Sequence, residues 1–368
     1  MKRILRVASV ITLISCYIAA SFGLSLLEAE DVLQRAMYWE RRQGQTVQCR
    51  LCPRNCVIPE GSRGFCRVRE NRGGTLYSLV YGRPVSLHID PIEKKPLFHF
   101  LPGTAAFSIA TAGCNLRCKF CQNWEISQAR PEDVRSVLMP PAQLVEEVKR
   151  SGSPTIAYTY TEPAIFYEYM LDTARLAQAA GIRNVMHSSG YINEEPLREL
   201  APYMDAANID LKGCSEEYYA QLSQGTLAPV QRTLKILQEE GVWIEITNLL
   251  VPGYNDDVES VTALCRWITE NLGTDVPVHF SRFFPLYKLS NLNPTPVEHV
   301  QRAAGIARRM GIKYVYIGNI AGNPAEDTFC PASGRKLIDR RGYFIVENHI
   351  AADAGQAYCG EKIAGVWE

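Results

Sequence analysis

The sequence predicts an α/β protein built on a partial (β/α) barrel, and two observations carry that prediction. From Ala105 onward, apolar runs of strand length alternate with longer runs whose apolar residues recur at helical spacing, the pattern of βα units on a parallel sheet. Three of the helical runs are followed by glycine, at Gly181, Gly241 and Gly311, where a helix must stop before the chain turns back into a strand. The chain has 368 residues, more than one core usually serves, so the barrel should carry additions. The expected organisation is an apolar leader over 1–27, a small cysteine-rich N-terminal domain over 28–104, the barrel over 105–325 and a C-terminal tail over 326–368.

In chain order, residues 28–42 have helical spacing and 76–81 read as a short strand. The expected barrel strands are 106–110, 155–160, 184–187, 206–211, 243–249, 278–283 and 314–317. Helices are expected between them over 141–150, 164–180, 230–240, 258–271 and 297–310. In such a barrel the functional residues belong at the C-terminal ends of the strands. Phe283, Phe284 and Tyr287 are expected to pack the barrel rather than stack on a substrate.

Hydrophobic residues make up 46% of the chain and charged residues 21%, which excludes a disordered, collagenous or polytopic membrane protein. Basic and acidic residues balance at 39 each, so no global field attracts nucleic acid. No P-loop, dinucleotide fingerprint or hydrolytic triad spacing is present. At the N-terminus, Lys2, Arg3 and Arg6 precede an uncharged run over 7–27, which reads as an export signal, a membrane anchor or a misassigned start. Leu13-Ile14-Ser15-Cys16 further resembles a lipoprotein cleavage box.

Seven of the twelve cysteines lie between Cys49 and Cys121, a clustering that reads as metal ligation rather than a disulfide framework. Directly after the first barrel strand, Cys114, Cys118 and Cys121 stand at C-x3-C-x2-C spacing. Three thiolates are one ligand short of a closed zinc site or a fully ligated four-iron cluster. The loop is therefore either a zinc knuckle completed from elsewhere or a cluster site with one iron open to a substrate. Cys49, Cys52, Cys56 and Cys66 form a second set of four within eighteen residues, enough to close a tetrahedral shell; zinc and an auxiliary iron–sulfur cluster both fit.

With Phe120 before the third cysteine, the first loop resembles the cluster loop of the radical S-adenosylmethionine (radical SAM) superfamily. From Pro91-Ile92-Glu93-Lys94-Lys95-Pro96 through Gln122-Asn123-Trp124 the chain is similar to AmmeMemoRadiSam-system radical SAM enzymes, relatives of the pyruvate formate-lyase (glycyl-radical enzyme) activating enzymes. The resemblance spans about residues 45–368 and implies a radical SAM barrel. It implies a [4Fe-4S] cluster on Cys114, Cys118 and Cys121 whose fourth iron is chelated by the amino and carboxylate groups of S-adenosyl-L-methionine (SAM). Reductive cleavage then gives methionine and a 5'-deoxyadenosyl radical that abstracts hydrogen.

The same resemblance places a SAM-amine contact at Tyr160-Thr161-Glu162-Pro163, with Glu162 as the leading ligand, and further cofactor contacts at Phe120, Ser189, Asp210 and Lys212. His187 stands where formate-lyase activators commonly hold an aspartate, and it reads equally as a ligand or a hydrogen-bonded core histidine. Glu245, Asn248 and Val251-Pro252-Gly253 either line the substrate mouth or shape its turn. Relatives often carry Cys-x2-Cys twice in the tail; here Ser333 and Gln356 replace two of those ligands, so the tail reads as a degenerate zinc ribbon. Cys330 and Cys359 remain as buried thiols, or as a disulfide in an exported protein, and Cys214 and Cys265 as core or surface thiols.

The activity expected is hydrogen abstraction from a substrate, a glycyl-radical protein on one reading and a peptide or small molecule on another. An iron–sulfur electron-transfer or interaction protein that never cleaves SAM is the alternative from a different class. A low-potential electron donor is the expected partner, and membrane contact is expected only through residues 7–27. SAM and low-potential electrons are made in the cytoplasm, so the catalytic body is expected there, although positive-inside orientation of the leader would put it outside.

Overall fold

A computed structural model describes residues 33–351 and 355–368, and the leader, with Cys16, lies outside the described residues. From Gln34 to Glu368 the chain forms one compact unit. Its core is an eight-stranded sheet of β7 (Ser86–Pro91), β8 (Ala105–Ala110), β9 (Thr155–Tyr158), β10 (Arg183–Ser188), β11 (Ala206–Asp210), β12 (Trp243–Leu250), β13 (Val278–Arg282) and β14 (Val315–Gly318), arranged in sequence order. β8 to β14 run parallel, and β7 pairs antiparallel with β8. β7 and β14 are the two edges, so the barrel is partial.

The crossovers are α1 (Pro141–Ser151), α2 (Tyr167–Ala179), α3 (Glu194–Leu200), α4 (Leu227–Glu239), α5 (Val258–Asn271) and α6 (Val297–Arg309). Each turns an apolar face to the sheet; in α4 that face is Val230, Leu234 and Leu237. Gly181, Gly241 and Gly311 sit just past α2, α4 and α6 with φ near +73°, +76° and +92°, the left-handed conformation a helix stop needs. Residues 194–200 carry a helix that the sequence reading did not pick out, because its single apolar turn is too short to show a period.

The N-terminal part differs from its sequence reading. The helix expected to end at Arg42 is absent among the described residues; β1 (Gln34–Arg35) and β2 (Trp39–Arg41) stand there instead. β2 pairs with β3 (Val47–Cys49), which pairs with β4 (Val57–Ile58), while β1 pairs with β6 (Thr75–Ser78) and β6 with β5 (Arg69–Arg72). Partners beyond the local window decided against the helical period. The boundary drawn at residue 104 also moves, since β7 belongs to the main sheet rather than to the cysteine-rich lobe.

The tail folds as β15 (Thr328–Phe329), β16 (Lys336–Arg341) and β17 (Phe344–Asn348), an antiparallel sheet. It is not detached from the barrel: Leu337, Ile338 and Ile363 pack with Phe98, Tyr314 and Tyr316. Cys330 and Cys359 are free thiols, as are Cys214 and Cys265. At this junction His99 is fully buried; its Nδ1 lies 2.6 Å from the Ala364 carbonyl and its Nε2 2.5 Å from the Tyr316 hydroxyl. A carbonyl only accepts, so Nδ1 carries a proton, and where burial keeps the imidazole neutral Nε2 is left to accept from the Tyr316 hydroxyl. Burial lowers the His99 pKa to about 4.

Glu245 belongs to this interior and not to the mouth, because it is the third residue of β12. Its carboxylate accepts from the backbone N–H groups of Phe98 and His99 at 3.0 and 2.8 Å, and His279 Nε2 lies 2.7 Å away. Among the described residues no helix is long and apolar enough to cross a membrane.

Candidate active site

A cavity of about 450 Å³ opens at the C-terminal ends of the parallel strands. Each strand or the loop after it contributes to its wall: Cys114 after β8, Glu162 after β9, Ser188 and Ser189 at β10, Asp210 and Lys212 at β11, Thr247 on β12, Ser281 on β13 and Asn319 after β14. This is where a parallel barrel leaves loops free to carry chemistry.

The cysteine loop is held from both sides. Gly113 has φ near +92°, and a Cβ there would lie 2.5 Å from Val68 Cγ1 and 2.7 Å from the Cys66 carbonyl, so only glycine fits. Asn115 donates through Nδ2 to the Tyr191 carbonyl at 2.7 Å, and the Arg117 and Lys119 N–H groups bond the carbonyls of Ser223 and Leu222 at 2.9 and 2.8 Å. Cys114, Cys118 and Cys121 all line the cavity. The Leu116 N–H points at Cys114 Sγ from 3.4 Å, and Ser127 Oγ stands 3.2 Å from Cys121 Sγ. Burial pushes the Cys114 and Cys118 thiols up; Glu162 adds to the rise at Cys114, and Lys212 opposes it at Cys118.

Glu162 ends the β9 segment as the cap of a short turn, with its carboxylate nearly fully buried. Oε1 accepts from the Ala164 N–H at 3.1 Å and the Ser188 hydroxyl at 2.6 Å; Oε2 accepts from the Ser189 N–H at 2.9 Å and from the Ser189 hydroxyl. Its acceptor positions are filled from within the chain, half of them by hydroxyls that can rotate away. Ser188, which the sequence reading passed over beside Ser189, is thus a direct partner. Nothing in a lone serine pair signals this.

Asp210 gathers the next charges. Lys212 Nζ lies 2.6 Å from its Oδ2 and His187 Nε2 lies 3.2 Å from its Oδ1. Burial opposes charge on Asp210, but Lys212 and then His187 outweigh it and hold its carboxyl well below the usual range. Lys212 Nζ stands 5.6 Å from the centre of the Phe120 ring, and Phe120 itself lines the cavity. The expected residues Phe120, Glu162, Ser189, Asp210 and Lys212 are therefore brought to one cavity with the three cysteines, and so is His187.

Behind Tyr160, which lines the cavity, lies a network that the sequence reading did not assign. The buried Lys95 ammonium bonds Asp90 at 2.5 Å and lies 4.5 Å from the Tyr160 ring centre, and the Tyr160 hydroxyl donates to the same carboxylate. Tyr160 has a left-handed backbone, φ near +63°, and its carbonyl takes the Asn123 amide at 2.7 Å, two residues past the last cluster cysteine. The Lys94-Lys95 pair was visible only as part of a family motif.

At the mouth, Tyr343 reaches in from the β16–β17 turn. Phe283 is buried as expected, but Phe284 is 45% exposed and Tyr287 stacks on Trp124 with ring centres 5.2 Å apart, so only the first of the three packs the barrel. Asn248 donates to the Leu211 carbonyl at 2.7 Å and shapes the strand end.

Cys49, Cys52, Cys56 and Cys66 surround a separate small cavity with Arg69, Asn115 and Ile165. Among the described residues, no group of three or more His, Cys, Asp or Glu side chains is arranged to hold a metal ion as a single centre. Neither thiol set is therefore folded around one ion. The Cys114, Cys118 and Cys121 donor set does fit an iron–sulfur cluster, since three thiols face a cavity of the size that takes drug-sized ligands, about 300–1,000 Å³.

Residues 108–265 match the profile of the Radical SAM superfamily. An uncharacterized protein of Methanocaldococcus jannaschii is 46% identical over 334 residues, covering 90% of this chain and 99% of its own. The pyruvate formate-lyase 1-activating enzyme of Escherichia coli K12 is 23% identical over 220 residues, 55% of this chain and 89% of that one. Among solved structures, a radical SAM methyltransferase from Sphaerobacter thermophilus aligns with a TM-score of 0.47 at 17% identity, over 64% of this chain and 71% of that one. The superfamily match begins inside β8 and runs through the strand ends that supply the cysteines, Glu162 and Asp210, and by that match and its kinship this chain belongs to the radical SAM superfamily.

Proposed function

We propose that this radical SAM enzyme is of the activating type and abstracts a hydrogen atom from a glycine Cα of a partner protein. The observation that carries the reading is the ring of strand ends around Cys114, Cys118 and Cys121, with an anion at Glu162 and a cation at Lys212 in the same cavity. A bound [4Fe-4S] cluster and SAM would supply reductive cleavage of the sulfonium and hydrogen abstraction.

This chain's residues do the holding. The three thiolates would hold such a cluster through three of its irons, leaving one iron open for SAM. Glu162 would accept from the SAM amino group once the Ser188 and Ser189 hydroxyls turn away, a charge-assisted contact. Lys212, anchored by Asp210, keeps further N–H donors for the SAM carboxylate. Phe120 and Ser189 complete the cofactor wall. Activating enzymes of the Escherichia coli kind, 23% identical here, support the choice of a protein substrate.

A second reading, modification of a peptide or small molecule by the same chemistry, is favoured by His187. It stands where formate-lyase activators commonly hold an aspartate, and it pairs with Asp210. The work is done in the cytoplasm on either reading, where SAM and a low-potential electron donor are made. An alkaline-phosphatase fusion after residue 45 tests that: high phosphatase activity would show export by the leader.

The deciding experiment is anaerobic incubation of reconstituted protein with SAM and a strong reductant. The expected products are 5'-deoxyadenosine and methionine, absent in Cys114→Ala. No deoxyadenosine above that control would leave an iron–sulfur carrier as the reading. A glycyl-radical signal on a partner protein would select the activating role over small-molecule modification.

A further inference from the structure

We infer that Asp90, Lys95 and Tyr160 are positioning residues for SAM, holding a strained turn at Tyr160 that sets Glu162 in the cavity wall and latches it to the cysteine loop. The inference rests on the reading of Glu162 as the SAM contact and concerns residues that act through it.

The backbone shows the turn. β9 ends at Tyr158, and the Thr161 N–H bonds the Thr159 carbonyl at 2.8 Å across Tyr160, whose φ is near +63°. A three-residue turn with a positive φ at its centre is the rare, strained form of the γ-turn, and a bulky side chain there is an outlier. Such a conformation persists only where its surroundings over-determine it. From the other side Pro163 restricts Glu162 to an extended backbone, with φ −115° and ψ 111°. Glu162 is thus aimed by Tyr160 before it and Pro163 after it.

Side chain and backbone both hold Tyr160 there. Its hydroxyl donates to the Asp90 carboxylate and accepts from Lys95 Nζ at 3.3 Å, and the Lys95 ammonium lies 4.5 Å from its ring centre. Its carbonyl takes the Asn123 amide at 2.7 Å, and the neighbouring Thr161 hydroxyl donates to the Thr111 carbonyl at 3.0 Å. Asn123 stands two residues after Cys121 and Thr111 three before Cys114, so the turn is pinned to both ends of the cysteine loop.

Asp90 makes the hold firm. It sits on β7 opposite Ala106 of β8 and takes Lys94 at 2.9 Å and Lys95 at 2.5 Å. Burial opposes its charge, but the two lysines and Tyr160 outweigh it and keep the carboxyl well below its usual range. An ionised acceptor makes the Tyr160 bond a charge-assisted one, stronger than a neutral pair. Desolvating Lys95 and Asp90 costs more than an apolar pair in their place would, so stability alone is a poor reason for them. The segment Pro91-Ile92-Glu93-Lys94-Lys95-Pro96 thereby gains a role, since its two lysines clamp the carboxylate that holds the turn.

The test is equilibrium dialysis of SAM against anaerobically reconstituted Tyr160→Phe and Asp90→Asn, each alone and each combined with Glu162→Gln. In the single variants iron content should match wild type and SAM binding should weaken about threefold or more, within the range that one hydrogen bond contributes. In the Glu162→Gln background neither change should weaken binding further, because the turn acts through Glu162. Weakening of the same size in that background would overturn the inference, as would less than about threefold weakening in the single variants where Glu162→Gln itself weakens binding. Loss of iron in the single variants would also overturn it, marking the network as a support of the cysteine loop. Unchanged affinity in Glu162→Gln alone would instead remove Glu162 from the SAM site, and the inference with it. Should Asp90→Asn fail to fold, Tyr160→Phe, which loses one hydroxyl, decides by the same criteria.

Discussion

Replacing Glu162 by glutamine keeps the shape of the side chain and removes its charge and one of its two oxygens. The carboxylate now serves four donors, two on each oxygen. The hydroxyls of Ser188 and Ser189 can turn to accept from the new amide, but the backbone N–H groups of Ala164 and Ser189 cannot. Whichever way the amide points, one of these two loses its acceptor, and a buried unsatisfied donor costs about 1–3 kcal/mol. The loss of charge acts separately on SAM. An ammonium held by an amide oxygen instead of a carboxylate forfeits about 1–3 kcal/mol, a weakening of roughly 5- to 150-fold. Equilibrium dialysis of SAM against anaerobically reconstituted Glu162→Gln reads the second effect, and thermal unfolding reads the first. Iron content should match wild type, since Glu162 is not a cluster ligand. A SAM dissociation constant within twofold of wild type, at equal iron content, would refute the assignment of Glu162 to the SAM ammonium.

Acid should destabilise the junction of barrel and tail through His99. Its folded pKa of about 4 lies below the ordinary histidine value, so the unfolded chain binds the extra proton first; stability is lost as pH falls from about 6.5 to about 4, and His99→Gln should flatten that slope in melts at pH 7 and pH 5. Gly113→Ala should cost about 1–3 kcal/mol in backbone strain alone, with the Val68 contact added, and should lower iron at the cysteine loop; full iron loading and an unchanged melting temperature would contradict the clasp described for this loop. Asp210→Asn removes the anchor of both Lys212 and His187. SAM binding should weaken at least about tenfold, the scale of one charged hydrogen bond, while the iron count holds; loss of iron with unchanged SAM affinity would point to a purely structural role.

Much of the barrel was legible in the sequence because its signals are local. The parallel strands are short apolar runs, three of them preceded by a glycine-stopped helix, and α5 ends where its period ends, at Asn271. The three-cysteine loop was legible because its spacing is its chemistry. What escaped was whatever depends on how the chain turns back on itself and which strands pair. Residues up to Arg42 show a helical period, yet β2 takes its hydrogen bonds from β3 across Gln43 and Gly44. Glu245 looks like a mouth residue by its place near a strand end, but its position in the strand register turns it to the interior, where His279 and two backbone N–H groups hold it. Lys95 reads as a surface lysine until Asp90, five residues earlier in β7, folds back to meet it.

Tyr343 lies about as far from the cysteine loop in sequence as the chain allows, yet it stands in the same cavity wall. The tail that brings it there supplies none of the thiols and none of the charged groups around them. The thiols and this part of the cavity wall are thus written in different stretches of the chain. The hairpin of β16 and β17 leans on the barrel through Ile345 against Gly103, 3.1 Å from where a Cβ would be, and its tip carries Tyr343 but none of the cysteines. A change within residues 341–346 would therefore reshape that wall of the cavity while leaving the cysteine loop as it is.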